Sequence, residues 1–392
     1  GAVFSLYMML PYGLKNRRRR IRPRAVVLSL VPLLIGLLAS GALWFFGNQE
    51  AAQAAPAETP APSMTAEPTE APVLEATPEP EPEQEAQAET EALAPSASDE
   101  FYRQEGDPAE VIVVDEDNGH WEYRTDTLSI LIDRVATEYT NNGGKTYPLV
   151  YFVAHIRMRE INAFRTVQSA DNRNGAGAIK PWILARRNKA VLMITGDNLT
   201  ESDTQYKSIL IRDGKVFLDS AKCDIMAMYP DMTLRLFSPK ETNASQLLMD
   251  GVRDAFSFGP TLIRDGVFTT EDIDHTARIA NETNPRTGLG MVDPGHFVAI
   301  VVDGRQKEYS YGMRLTAFGQ LFVKEGCVEA YNLDGGVSAC MLFMGAQLNH
   351  HGNNRVGTIE DTYQRRIPDG LVWGYSDTVP GEDDPIYHRG EG

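Results

Sequence analysis

The sequence predicts an α+β fold: a mixed, largely antiparallel sheet with a few packed helices, preceded by a transmembrane helix and a disordered linker. Three observations predict it. Apolar runs of strand length recur after Phe101, Asp-Gly turns separate some of them, and only two stretches carry a helical period. A doubly wound parallel sheet is excluded because strands and helices do not alternate regularly.

The strand-like runs are Val111 to Val114, Leu149 to Ile156, Ala190 to Ile194, Ser208 to Ile211, Thr233 to Phe237, Phe297 to Val302 and Leu371 to Trp373. Asp213-Gly214 divides Ile209-Leu210-Ile211 from Val216-Phe217-Leu218, and Asp265-Gly266 divides Leu262-Ile263 from Val267-Phe268. Both are hairpin signals, because a two-residue turn that matches strand twist needs positive φ at both positions. The first helix is expected after a capping Asn243, with Ala244, Leu247, Leu248, Gly251, Val252 and Ala255 on one face. The second places Phe318, Leu321 and Phe322 together, with Thr316 as N-cap and Gly326 as stop. A strand Glu329-Ala330-Tyr331-Asn332 then runs into a glycine turn.

Charge divides the chain further. Seven Lys/Arg and no acid precede Asn48, with Arg17, Arg18, Arg19, Arg20, Arg22 and Arg24 flanking 22 uncharged residues, Ala25 to Phe46. That run is long enough to cross about 30 Å of hydrocarbon as helix, and arginines stay on the cytoplasmic side. The expected organisation is a basic cytoplasmic tail over 1–24, a transmembrane anchor over 25–46, a linker over 47–100 and an extracytoplasmic domain over 101–392. The alternative is a cleaved signal peptide, and either way the domain is exported. Between Gln49 and Glu100 lie thirteen acids, nine prolines and no base, too polar to offset ordering entropy. The chain carries −17 overall and −11 from Phe101 onward, which argues against a nucleic-acid partner. Cys223, Cys327 and Cys340 form no C-x-x-C pair or Cys/His cluster, so zinc is not expected and buried thiols are.

Four segments put charged or polar residues beside glycine at strand ends: Ile194 to Asp197, Asn284 to Gly288, Asp303-Gly304-Arg305, and Asn332 to Ser338. Each alone is no more than a turn. In order, and with Phe258-Gly259-Pro260, Ser310, Gly312 and Arg365, the ensemble resembles the phosphodiester glycosidase family from about Leu149 to Trp373. The sequence departs from that pattern at three positions. Thr195 replaces a usual asparagine, Val337 replaces a third glycine, and Cys340 takes a small polar position. Valine strains glycine-only backbone angles, so the loop is expected to be narrowed or reshaped, with substrate preference changed or activity lost.

The resemblance implies a hydrolase that cleaves the C1–O bond of a sugar-1-phosphodiester in envelope or extracellular glycans. Phosphate is already a good leaving group, so charge stabilisation matters more than a general acid. Arginine matches phosphate oxygens bidentately, which points to Arg286, Arg305 and Arg365. Backbone N–H groups of a glycine turn could join them at Gly335, Gly336 and Ser338, and the matching elements add Asn332 and Ser310 to the substrate side. A carboxylate must activate water or attack C1, with Asp334 first choice and Asp197 and Asp303 next. His296 is a candidate proton carrier, whereas His155 is expected to be packed. Ser338 lacks the closing glycine of a G-x-S-x-G elbow. No cofactor is expected, although Asp334, Asp303 and Asn332 could offer oxygens to a divalent cation. Expected partners are the glycan or sugar-phosphate substrate and the membrane. The rival readings are a noncatalytic glycan-binding or polysaccharide-assembly module and a metal-dependent phosphodiesterase.

Overall fold

A computed structural model describes residues 98–169, 178–197, 209–220, 222–269, 273, 282–350 and 365–384. The expected tail, anchor and nearly all of the linker lie outside them. The chain divides into units 1–86 and 87–392, and every described residue belongs to the second. Among the described residues, no helix is long and apolar enough to cross a membrane.

Among the described residues of this unit there are three sheets, antiparallel at every pairing. The largest has nine strands, in spatial order β1 (Val111–Asp115), β2 (His120–Arg124), β3 (Leu128–Thr140), β4 (Thr146–Met158), β15 (His296–Val302), β14 (Arg286–Asp293), β16 (Glu329–Leu333), β12 (Thr261–Arg264) and β13 (Val267–Phe268). A second runs β10 (Leu234–Phe237), β9 (Ile225–Met228), β11 (Asp254–Phe256), β7 (Ile209–Arg212), β8 (Lys215–Asp219). The third runs β18 (Ala346–Gln347), β17 (Met341–Phe343), β6 (Ala190–Thr195), β19 (Asp369–Tyr375), β5 (Phe164–Gln168). The α+β class and the antiparallel pairing agree with expectation, but the single mixed sheet becomes three.

Strand periodicity explains how the large sheet covers both faces. On β15, Phe297, Ala299 and Val301 enter the main core, while Val298, Ile300 and Val302 enter a second core on the other face. Phe318 and Phe322 of helix α3 (Leu315–Lys324) share that second core. They lie flush because β14 presents glycines there. A Cβ at Gly288 would stand 2.9 Å from the Phe318 ring, and one at Gly290 would stand 2.8 Å from Phe322. Burying each ring contributes roughly 1.5–3 kcal/mol. Helix α1 (Pro181–Arg187) adds Leu184 and Ala185 to a core over the third sheet.

The two helical expectations need correction. Asn243 does cap helix α2 (Ala244–Met249), accepting from the Gln246 N–H, but the helix stops before Gly251, whose φ is +81°. Val252 lies beyond it and Ala255 belongs to β11, because a left-handed glycine terminates the helix. α3 starts at Leu315, so Thr316 is inside the first turn and Arg314 is the N-cap. Both Asp-Gly turns hold, with φ of +48° and +69° at Asp213-Gly214 and +52° and +73° at Asp265-Gly266. Cys327 and Cys340 are buried thiols and Cys223 is half-buried.

Candidate active site

Neighbouring strand ends assemble the site. In the large sheet, Arg286 pairs with Val302, and Thr287 pairs with Leu333. β15 therefore ends, β14 begins and β16 ends on the same side, bringing Asp303 to Arg305, Asn284 to Arg286 and Asp334 to Gly336 together. The Asp334 N–H donates to the Gly196 carbonyl at 3.1 Å, which ties the end of β6 to the end of β16.

A cleft of about 170 Å³ opens there, lined by Asn284, Arg286, Arg305, Asn332, Asp334 and Arg365 among others. Arg305 donates from Nε and Nη2 to the Asn284 side-chain oxygen at 3.0 and 2.8 Å. Arg365 donates to the Ser338 hydroxyl at 3.3 Å. Among the described residues, no carboxylate lies within salt-bridge distance of either guanidinium. Burial and the neighbouring Arg365 lower the Arg305 pKa. Arg305 also holds φ at +62°, an uncommon backbone angle for a side-chain-bearing residue. Two mutually repelling cations face one polar cleft, with the Glu282 charge partly offsetting them.

Asp334 is one of two carboxyl residues lining this cleft, the other being Glu282. Burial pushes the Asp334 pKa up to about 6, opposed by the Ser338 hydroxyl, the Arg365 charge and the Gly335 N–H. Asn332 donates to the Gly259 carbonyl at 2.7 Å, while its buried Oδ1 has no protein partner. Arg286 is more deeply set, donating to the carbonyls of Met313 at 3.2 Å and Glu282 at 2.7 Å. Burial first, then Arg305, lowers its pKa to about 10.

The glycine turn serves differently from expectation. The Gly336 N–H donates to the Pro285 carbonyl and the Ser338 N–H to the Gly335 carbonyl, so those two donors are committed within the protein. The glycines allow close approach instead, since a Cβ at Gly335 would stand 2.8 Å from the Pro285 oxygen. Gly336 takes φ of +62°, but Val337 sits in a short 3₁₀ turn without positive φ, so the expected valine strain is absent. The other two departures compensate each other: the Thr195 hydroxyl lies 2.9 Å from the Cys340 sulfur and donates to the Ser338 carbonyl.

Five expected site residues do not line the cleft, and one of them, Ser338, acts there only through its bonds to Arg365 and Asp334. Asp197 is directly behind it but sealed, bound by Arg212 at 2.8 Å and by the Ser257 N–H at 3.0 Å. Arg212 also holds Asp369 at 2.8 Å, and Asp369 accepts from the Asp197 N–H at 2.9 Å. The Asp303 carboxyl, raised to about 7 by burial, accepts from Tyr309, Asn349 and the His350 N–H. The cation set of Asp334, Asp303 and Asn332 is therefore not assembled. Ser310 is a clasp, donating to the Asp303 carbonyl at 2.7 Å and accepting from the Val150 N–H at 3.0 Å. His296 begins β15, about 20 Å along the strand from Asp303. It lies 3.1 Å from His155 there, with burial lowering its pKa to about 3. Sequence reasoning missed Glu282 as a lining residue and Asn284 as the brace of Arg305; the Asn-Pro step before Arg286 was the available signal.

Residues 188–373 match the family model described as phosphodiester glycosidase. Over this segment the chain resembles the phosphodiester glycosidase family. The matched segment starts later than the resemblance read from Leu149, so the β3–β4 hairpin lies outside it. The SPbeta prophage-derived uncharacterized protein YomE of Bacillus subtilis (strain 168) is 28% identical over 199 residues, covering 50% of this chain and 29% of YomE. The match therefore spans less than a third of that relative's length. The zebrafish N-acetylglucosamine-1-phosphodiester alpha-N-acetylglucosaminidase catalytic domain, auto-inhibited by its pro-peptide, shares the fold. That match has a TM-score of 0.53 and 16% identity, covering 70% of this chain and 86% of the zebrafish one.

Proposed function

We propose that the domain over 101–392 hydrolyses the glycosidic C–O bond of a sugar-1-phosphodiester in envelope or extracellular glycans. It would be held outside the cell by a single membrane span at 25–46 and spaced from it by the acidic linker, with the N-terminus cytoplasmic. The arginine flank of the apolar run supports that topology. The observation that carries the enzymatic reading is the meeting of Asp334 with Arg305 and Arg365 in one cleft.

Each group has a physical role there. Arg305 and Arg365 hold the phosphate and stabilise the charge that grows on it as the C1–O bond breaks. The bonding pair leaves with the phosphate oxygen. Asp334, its pKa raised to about 6, is a stronger base than an exposed aspartate yet largely ionised at neutral pH. It either takes a proton from the water that bonds to C1 or bonds to C1 itself before water replaces it. The Ser338 hydroxyl joins Asp334 to Arg365 and so fixes the carboxylate relative to the phosphate. Arg286, held by the Met313 and Glu282 carbonyls, adds a third guanidinium to the lining of the same cleft.

Asp334→Asn keeps size and removes charge. Turnover of a sugar-1-phosphodiester should fall by about 10³ or more while the thermal midpoint changes little. A stable variant with near-wild-type turnover would remove Asp334 from the chemistry.

A further inference from the structure

The arginine cleft continues outward into a second chamber of about 370 Å³, which shares Glu282, Asn284 and Arg305 with it. Four other residues complete this chamber: Asn141, Thr283, Tyr311 and Arg314. Asn141 occupies the turn between β3 and β4, outside the segment that matches the family model. Its side-chain oxygen accepts from the Gly143 and Lys145 N–H groups at 3.0 and 3.1 Å, so the hairpin tip is a shaped turn. Tyr311 is fixed by parallel stacking on Tyr147, ring centroids 3.8 Å apart and planes within 4°, and Tyr147 belongs to the same hairpin. The Lys145 ammonium stands 5.0 Å from the Tyr147 ring centre, adding positive charge to that wall. Among the described residues, no carboxylate is within salt-bridge distance of Arg314.

We propose that this outer chamber is a subsite for the alcohol side of the diester, and that it takes a second anionic group, such as the next phosphate of a phosphodiester-linked glycan. The inference rests on the functional reading above, which places the reacting centre in the inner chamber at Asp334. The inner chamber is less than half the volume of the outer one, so the remainder of a polymeric substrate extends outward. Arg305 stands between the chambers and meets the phosphate being released. Arg314, on the far side, meets the next anion, and the rigid Tyr311 face offers a sugar ring an apolar surface. The β3–β4 hairpin thus contributes to substrate length and charge preference rather than to bond cleavage.

Binding tests this independently of turnover. The probes are inorganic phosphate and a synthetic disaccharide ending in a phosphate monoester and joined by a phosphonate, in which CH2 replaces the anomeric oxygen so that the C1 bond is not cleaved, each titrated calorimetrically into the protein. Wild type should bind the disaccharide at least about tenfold more tightly than phosphate. Arg314→Gln, and Asn141→Asp, which keeps the turn's acceptor but adds a repelling charge, should each cut disaccharide affinity about tenfold and phosphate affinity less than twofold. Arg314→Lys, with charge retained, should fall between, and thermal midpoints establish folding in each case. Unchanged disaccharide affinity in Arg314→Gln and Asn141→Asp, or equal losses for both probes, would overturn the subsite. Failure of wild type to turn over any sugar-1-phosphodiester would instead overturn the functional reading and leave this binding result to stand by itself.

Discussion

Two arginine–carboxylate assemblies lie on either side of the Gly196–Asp334 backbone hydrogen bond, and they differ in what surrounds the charges. Behind it, Arg212 is shared by Asp197 and Asp369, and all three side chains are closed to solvent. In front, Arg305 and Arg365 face a cleft with Asp334, and their bonds go to a neutral amide and a hydroxyl. The first assembly joins β6 and β19 of one five-stranded sheet to β7 of the other, so its charges are spent on holding layers together. The second leaves guanidinium charge available to an incoming anion. The lesson is that an aspartate beside glycine at a strand end acquires a role from the cation opposite it.

The largest expected effect belongs to the buried assembly. Arg212→Ala would leave two carboxyls without their cation and should cost about 3–5 kcal/mol of stability, read from chemical denaturation. The matching change in front is Arg305→Lys, which keeps charge and loses the fork. It should lower turnover of a sugar-1-phosphodiester roughly a hundredfold, about 2.7 kcal/mol, with little change in denaturation midpoint. Equal effects of both changes on both readouts would erase the distinction between the assemblies.

Acidity should move the two in opposite directions. Asp334 must be ionised to act, so kcat/KM should fall about tenfold per unit below pH 6. Burial raises Asp369 from 3.8 to about 7, so the folded state holds that proton more tightly than the unfolded chain. Its contribution to stability is present below about pH 4 and lost as pH rises towards 7, by up to about 1.4 kcal/mol per unit. Denaturation of wild type and Asp369→Asn between pH 5 and 7 should show the variant gaining relative to wild type as pH rises. The smallest effect is expected of Val337→Gly. Because Val337 needs no positive φ, restoring glycine should leave turnover within about twofold and cost at most about 1 kcal/mol of stability.

Local chemistry made part of this legible. The Asp213-Gly214 and Asp265-Gly266 hairpins followed from turn preference, and the apolar runs located β4, β6, β15 and β19. β14 was missed because Arg286-Thr287-Gly288-Leu289-Gly290 reads as a turn until Phe318 and Phe322 are known to fill the space above its glycines. Arg305, Arg365 and Asp334 were legible as a group through motif order. The sealing of Asp197 was not, since its cation lies 15 positions away and its fellow carboxylate 172. Likewise His296 shares a strand with the segment leading to Asp303, but seven residues of extended chain put it at the other end.

The central claim, that this cleft directs cleavage between C1 and the bridging oxygen, is tested most directly by hydrolysing a sugar-1-phosphodiester in water enriched in oxygen-18. The account predicts that the label appears in the anomeric hydroxyl of the released sugar and that the phosphate monoester is unlabelled. Label in the phosphate would mean that the P–O bond is broken instead and would contradict it.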